Sequence, residues 1–194
     1  QVELIAVSKA RSVTEIQQAV DAGQMQFGEN YLQESLDKID SLEGKNLIWH
    51  FIGPIQSNKT ASIAEKFDWV HSIERFKIAK RLSDQRHSKL GQLNVLLQLN
   101  IDREKTKSGF FLEDVDEIVP KIKNLPNISL RGFMCIPNPD NSADSFTKMA
   151  ELLSKYPNLD TLSMGMSVDL ELAIEKGATF VRVGTDIFGE REYN

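Results

Sequence analysis

The 194-residue sequence holds one cysteine, Cys135. No internal disulfide can form, and neither a Cys-based metal spacing nor a redox pair can be built. The thiol is expected to be a small buried apolar group. Long apolar runs are missing too, and none approaches the roughly 20 residues that a membrane-spanning helix needs. No signal peptide is visible, so the expected location is the cytoplasm. The chain begins abruptly inside a strand, and further residues are expected upstream. No basic run stands out and the net charge is -5. A nucleic acid, whose phosphates call for clustered cations, is therefore not an expected partner. No G-x-G-x-x-G follows the first strand, which weighs against a dinucleotide site. With 41% hydrophobic and 26% charged residues, what remains has the composition of one ordinary globular domain with a substantial core.

What is present is an alternation of strand and helix. Strands are expected at Val2–Val7, Met25–Phe27, Leu47–Ile52, Trp69–Ser72, Leu93–Ile101, Ile128–Met134, Thr161–Met164 and Phe180–Val183. Between them lie helical patterns at Leu32–Leu42, Ser57–Lys66, Arg75–Ser88, Leu112–Ile122, Ala143–Ser154 and Val168–Lys176. The first helix opens on Ser12-Val13-Thr14-Glu15, a capping-box spacing, and ends at Gly23. Eight strands alternating with seven or eight helices imply an α/β fold, a single-domain (β/α)8 TIM barrel over residues 1–194. An open doubly wound sheet is the alternative. The barrel reading leaves a closing helix after strand eight unaccounted for, and an upstream segment is expected to supply it.

In such a barrel the chemistry sits at the C-terminal ends of the strands, and phosphate is often held after strands seven and eight. Lys9 ends the first strand, and burial there would favour a neutral, nucleophilic amine. Ser163-Met164-Gly165-Met166-Ser167 follows strand seven, with Ser167 expected at a helix N-cap where N–H groups favour an anion. Gly184-Thr185 follows strand eight and adds backbone N–H groups and a hydroxyl. An amine facing a phosphate cradle points to pyridoxal 5'-phosphate (PLP), held as a Schiff base. Arg182 alternates with the apolar Val181 and Val183, so it faces the interior and needs a partner, either a cofactor atom or an internal carboxylate. Asn30 is placed either to bond the cofactor's 3-hydroxyl or to cap a helix. His50 reads as a core histidine or a site residue, and Lys107 as a second amine or a solvated loop lysine.

These segments resemble the YggS/PROSC family of pyridoxal-phosphate homeostasis proteins. The resemblance rests on Ala6-Val7-Ser8-Lys9, on Phe27 to Glu34, on Trp49 to Lys59, and on Lys107-Ser108-Gly109. It continues through Arg131 to Pro137, Ser163 to Asp169, and Val181 to Gly189. Ile55 and Phe133 stand where leucine is common in the family. The resemblance implies a PLP fold-type III barrel like the N-terminal domain of alanine racemase, with PLP on Lys9. It also implies that Ser167, Gly184 and Thr185 hold the phosphate, with Ser163 in the same loop, that Arg182 faces the ring nitrogen, and that Asn30 lies nearby. The family's N-terminal helix is not found ahead of the first strand.

An arginine at the ring nitrogen would keep that nitrogen unprotonated and weaken carbanion chemistry. The related racemases take a second acid–base group, a tyrosine, from a C-terminal β-domain, and the expectation here is a chain without one. The expected function is therefore PLP storage, delivery or buffering with little or no catalysis, by a monomer that passes PLP to apo PLP-dependent enzymes. A weak PLP-dependent amino-acid racemase is the second reading, and a phosphate-binding isomerase that uses no PLP is the third.

Overall fold

The computed structural model describes residues 1–190. Its strands are β1 (Glu3–Val7), β2 (Gln26–Glu29), β3 (Ile48–Phe51), β4 (Trp69–Ile73), β5 (Leu93–Leu99), β6 (Ile128–Cys135), β7 (Thr161–Ser163) and β8 (Phe180–Val183). The helices are α1 (Val13–Asp21), α2 (Leu32–Ser41), α3 (Thr60–Lys66), α4 (Phe76–Gln85), α5 (Val115–Lys123), α6 (Ser142–Ser154), α7 (Leu170–Glu175) and α8 (Thr185–Phe188). All neighbouring strands pair in parallel, and β8 returns to β1 with Glu3 opposite Phe180 and Ala6 opposite Val183. The sheet is a closed barrel in sequence order, which excludes the open-sheet alternative. Of the expected domain 1–194, positions 191–194 lie outside the described residues.

The sequence pattern accounts for most of this. β5 is buried on both faces, as its nearly continuous apolar run requires in a parallel sheet covered by helices. The capping box of α1 forms: Glu15 N–H donates to Ser12 Oγ, and Ser12 N–H donates to Glu15 Oε2. Ile16 on α1 and Ile118 and Ile122 on α5 are buried against the barrel. Among the described residues, no helix is long and apolar enough to cross a membrane.

Three expectations need correction. The sheet closes through the β1–β8 ladder itself, so closure of the barrel requires no further helix. The short α8, after β8, was not expected from the pattern. The third concerns Ser167. The helix after β7 begins at Leu170 with Asp169 as its N-cap, so Ser167 sits in the turn before it. The cause is Asp169, whose Oδ1 accepts from Met166 N–H (2.8 Å) and whose Oδ2 accepts from Ser142 Oγ (3.0 Å). Those bonds fold positions 167–169 into a turn. Gly165 enters it at φ +90°, where an added Cβ would lie 2.4 Å from the Ala173 Cβ, so both backbone and space require glycine.

Candidate cofactor site at the barrel mouth

At the C-terminal ends of the strands a cavity of about 270 Å³ is lined by Lys9, Asn30, Ser167, Arg182, Gly184 and Thr185, with Val7, Ile52, Ile136, Met166 and Val168 as its apolar wall. Six of the seven expected site residues thus meet in one place. The seventh, Ser163, lies beneath the cavity. It is fully buried, and its hydroxyl accepts from Arg182 Nη1 (2.5 Å) and contacts His71 Nδ1 (2.8 Å).

Lys9 follows β1 in a tight turn, where Arg11 N–H donates to Ser8 O (3.1 Å) and Ala10 adopts φ 58°. A non-glycine residue in that region costs on the order of 1 kcal/mol, so something must hold it. A buried ionic network from α2 and β2 does so. Ser8 Oγ donates to Glu29 Oε1 (2.6 Å), and Lys38 Nζ donates to the same oxygen (2.8 Å) and to Ser8 O (2.7 Å). Lys38 also donates to Glu34 Oε1, which accepts from Ala10 N–H (2.6 Å). The backbone is therefore fixed on both sides of Lys9. Burial pushes the Glu29 carboxyl above the usual carboxylate range, and the Lys38 ammonium and its hydrogen bond pull against it.

Arg182 is buried at the cavity floor. Its Nη2 donates to Cys135 O (3.0 Å), while Nη1 is held by Ser163. Burial lowers its pKa, opposed by Cys135 and Asp169, but a guanidinium stays cationic at ordinary pH. The interior salt bridge weighed from sequence is replaced by these two neutral acceptors. Cys135 is buried as expected, and burial pushes its thiol up to about 12, so it is an inert apolar group.

Asn30 does not cap α2, whose N-cap is Tyr31. Its Oδ1 is buried and has no hydrogen-bond partner among the described residues. Gly53 packs against it so closely that a Cβ would fall 2.2 Å from Asn30 O, which fixes the backbone below the amide. Across the mouth, Arg11 Nη1 donates to Phe188 O (3.0 Å), and Nη2 donates to Gly189 O. This ties the Lys9 turn to the far end of α8. The first turn of α8 leaves amide N–H groups without helical acceptors beside the cavity.

His50 and Lys107 lie outside this lining. His50 is fully buried inside the barrel, bonded to His71 (2.9 Å) and Gln26 (3.0 Å). Lys107 lines an adjoining cavity of about 210 Å³ that shares Asn30, Ile52 and Ile136 with the first. Its ammonium is ion-paired with Glu104 (2.6 Å) and donates to Ile136 O (3.1 Å). The sequence reading missed Ser8, Glu29, Glu34, Lys38 and His71. The i,i+4 spacing of Glu34 and Lys38 was a visible signal, as was the alternation of His71 with Val70.

The family model of the alanine racemase N-terminal domain matches residues 1–192. The chain belongs to this family. Similar relatives are named pyridoxal phosphate homeostasis protein. That of Escherichia coli strain K12 is 48% identical, covering 100% of this chain and 88% of the relative. That of Pseudomonas aeruginosa is 53% identical, covering 99% and 86%. Among solved structures, PipY of Synechococcus elongatus PCC7942 without PLP superposes with a TM-score of 0.90 at 36% identity, covering 97% of this chain and 93% of that one. The same protein with PLP bound gives 0.87, covering 97% and 92%. Alanine racemase of Corynebacterium glutamicum, at 17% identity, TM-score 0.73, and coverage of 99% and 57%, shares the barrel fold.

The residues present fit PLP. The cavity combines a primary amine, a fixed guanidinium, a serine and a threonine hydroxyl, and a buried amide oxygen without a partner among the described residues. Its volume is near the lower end for small-molecule sites.

Proposed function

We propose that this chain binds pyridoxal 5'-phosphate reversibly through the Lys9 amine and serves its homeostasis by storing, buffering or delivering it. The observation that carries this reading is the single cavity that gathers Lys9, Asn30, Ser167, Arg182, Gly184 and Thr185. When bound, the cofactor supplies an aldehyde that condenses reversibly with an amine. Lys9 provides that amine from a turn held on both sides. Ser167, Thr185 and the amides at the start of α8 bind the phosphate. Asn30, with its buried amide oxygen free of partners among the described residues, would meet the ring's polar edge. Arg182, at the cavity floor, would face the ring nitrogen and oppose its protonation.

Retention rather than turnover is favoured by what lines the cavity. Among the described residues its wall contains no carboxylate, imidazole or phenol that could exchange a proton opposite Lys9. The names of the relatives support the same reading, as does the PLP-bound structure of PipY. We further propose a cytoplasmic monomer that passes the cofactor to apo PLP-dependent enzymes, with Lys107 in the adjoining cavity as a second amine on the way out.

The test is an absorption spectrum after exhaustive dialysis. The wild-type protein should keep a visible band from bound PLP, and Lys9→Ala should lose it. A Lys9→Ala protein that retains the band overturns the assignment. A colourless wild type that takes up no added PLP points instead to phosphate chemistry without the cofactor. Proton exchange at an amino acid α-carbon in D₂O, dependent on Lys9, would establish a racemase-like enzyme.

A further inference from the structure

A line of hydrogen bonds crosses the barrel interior from the cavity floor to its opposite end. Arg182 Nη1 donates to Ser163 Oγ at 2.5 Å. Ser163 Oγ lies 2.8 Å from His71 Nδ1, and His71 Nε2 lies 2.9 Å from His50 Nδ1. His50 Nε2 is 3.0 Å from Gln26 Oε1, and Gln26 Nε2 donates to Glu3 Oε2. The six side chains come in turn from β8, β7, β4, β3, β2 and β1. Phe180 and Trp69 pack against the imidazoles, with ring centroids 5.3–5.8 Å from His50 and 5.7–6.2 Å from His71.

The Glu3 end sets the direction of the links, and the Arg182 end is compatible with it. A guanidinium can only donate and a carboxylate can only accept. With Glu3 accepting, Gln26 must offer its amide N–H there and its oxygen to His50. His50 then carries its proton on Nε2. A neutral imidazole has one donor and one acceptor, so His50 Nδ1 accepts from His71 Nε2–H. His71 Nδ1 is left to accept from the Ser163 hydroxyl, whose oxygen accepts from Arg182. The Arg182 end is compatible with this order, since the Ser163 oxygen accepts from Arg182 and its hydroxyl is left to donate to His71. Protonating His50 would set its Nδ1–H against His71 Nε2–H, and protonating His71 would turn the Ser163 hydroxyl proton away from it. Burial agrees with this: it pushes the pKa of His50 down to about 3, and burial with the nearby His50 and Arg182 holds that of His71 well below the ordinary imidazole value.

We propose that Ser163, His71, His50 and Gln26 are positioning residues that form a one-way hydrogen-bond relay, directed by Glu3 and holding Arg182 at the cavity floor. Its effect on the cofactor rests on the proposed PLP site, whereas its direction does not. Anchored by the relay through Nη1 and by Cys135 O through Nη2, the guanidinium cannot swing away from a bound ring. Both imidazoles are neutral, so the relay adds no further cation behind Arg182. An arginine kept cationic and in place opposes protonation of the ring nitrogen, and that favours holding the cofactor over reacting it.

The first arm of the test uses the protein without ligand, labelled with ¹⁵N-histidine, and reads the side-chain nitrogens by NMR. Wild type should show His50 and His71 as neutral Nε2–H tautomers from about pH 5.5 to 8, although a free histidine would titrate in that range. Glu3→Gln, at the half-buried end of the relay, puts a group that can donate or accept where only an acceptor stood. Gln26 can then turn over, and a second tautomer should appear at His50, on a strand two removed from the substitution. A charged or Nδ1–H imidazole in wild type overturns the relay. So does a Glu3→Gln protein with unchanged tautomers.

The second arm loads wild type and Ser163→Ala with PLP. The variant removes the Arg182 acceptor and the His71 donor together. It should mix the His71 tautomers, shift the visible band and weaken PLP binding about tenfold, as loss of one charge-assisted hydrogen bond implies. Lys9 should still form its borohydride-stable adduct. A band that stays in place while the tautomers change overturns the positioning role. Wild type with the expected tautomers but no PLP uptake leaves the relay standing and removes the proposed function.

Discussion

Two polar networks reach the cavity, and they are built from opposite materials. Around Lys9 the Ser8–Glu29–Lys38–Glu34 network is ionic: a buried ammonium sits among carboxylates. Behind Arg182 the line through Ser163, His71 and His50 is neutral until it reaches Glu3. The ionic network fixes a stretch of backbone, including an alanine in the left-handed region, and can do so because charge-assisted bonds are short and strong. The neutral line fixes one side chain, and does so through the order of its donors and acceptors. Strength serves where a turn must be held against strain. Direction serves where a cation must be held without adding another.

The two networks should therefore fail differently. The largest effect is expected from Lys38→Met. It leaves Glu29 buried without its counter-ion and should cost about 3–5 kcal/mol in urea unfolding, by the usual penalty for breaking a buried pair. Ser8→Ala removes a single bond to the same carboxylate and should cost about 2 kcal/mol. If either variant is as stable as wild type, the ionic network does not hold the turn.

Acid should strike the neutral line instead. Below about pH 6.5 the unfolded chain protonates both imidazoles, while the folded barrel refuses those protons. Stability should therefore fall with falling pH, by up to about 1.4 kcal/mol per pH unit for each histidine. For His50 the loss continues until pH nears its folded value of about 3. The raised pKa of Glu29 works in the opposite sense, since the folded state takes that proton first. Urea unfolding at pH 7, 6 and 5 checks the slope. It should flatten in His50→Gln and steepen in Glu29→Gln; an unchanged slope in His50→Gln would remove His50 from the account. The smallest effect on stability belongs to Lys107→Ala, which breaks a partly exposed ion pair and should cost under about 1 kcal/mol. Its signature should be slower activation of an apo-enzyme by the loaded protein, and equal rates would take Lys107 off the exit route.

Much of the mouth was legible because its residues end strands. Lys9, Gly184 and Thr185 sit directly after apolar runs, and period-two alternation sets Arg182 on the opposite face from Val181 and Val183. Ser167, a small hydroxyl before an apolar stretch, has the sequence pattern of a helix cap. The carboxylate of Asp169 bonds to Met166 and Ser142 instead, so the helix begins later. A cap is decided by where a side chain finds donors, and one of these lies 27 residues away. Ser163 belongs by sequence to the cofactor loop, yet its hydroxyl is turned down to Arg182 and His71. The networks themselves were hidden for the same reason. Glu29 with Ser8 and His71 with Ser163 are separated by 21 and 92 residues; pairing of β1 with β2 brings the first pair together, and only the barrel brings the second across its interior.

Borohydride reduction of the PLP-loaded protein, followed by mass mapping of its peptides, tests the central claim most directly. The account predicts one reduced adduct, on Lys9, and its absence from the Lys9→Ala protein. An adduct found first on Lys107 or another lysine, with Lys9 unmodified, would contradict it.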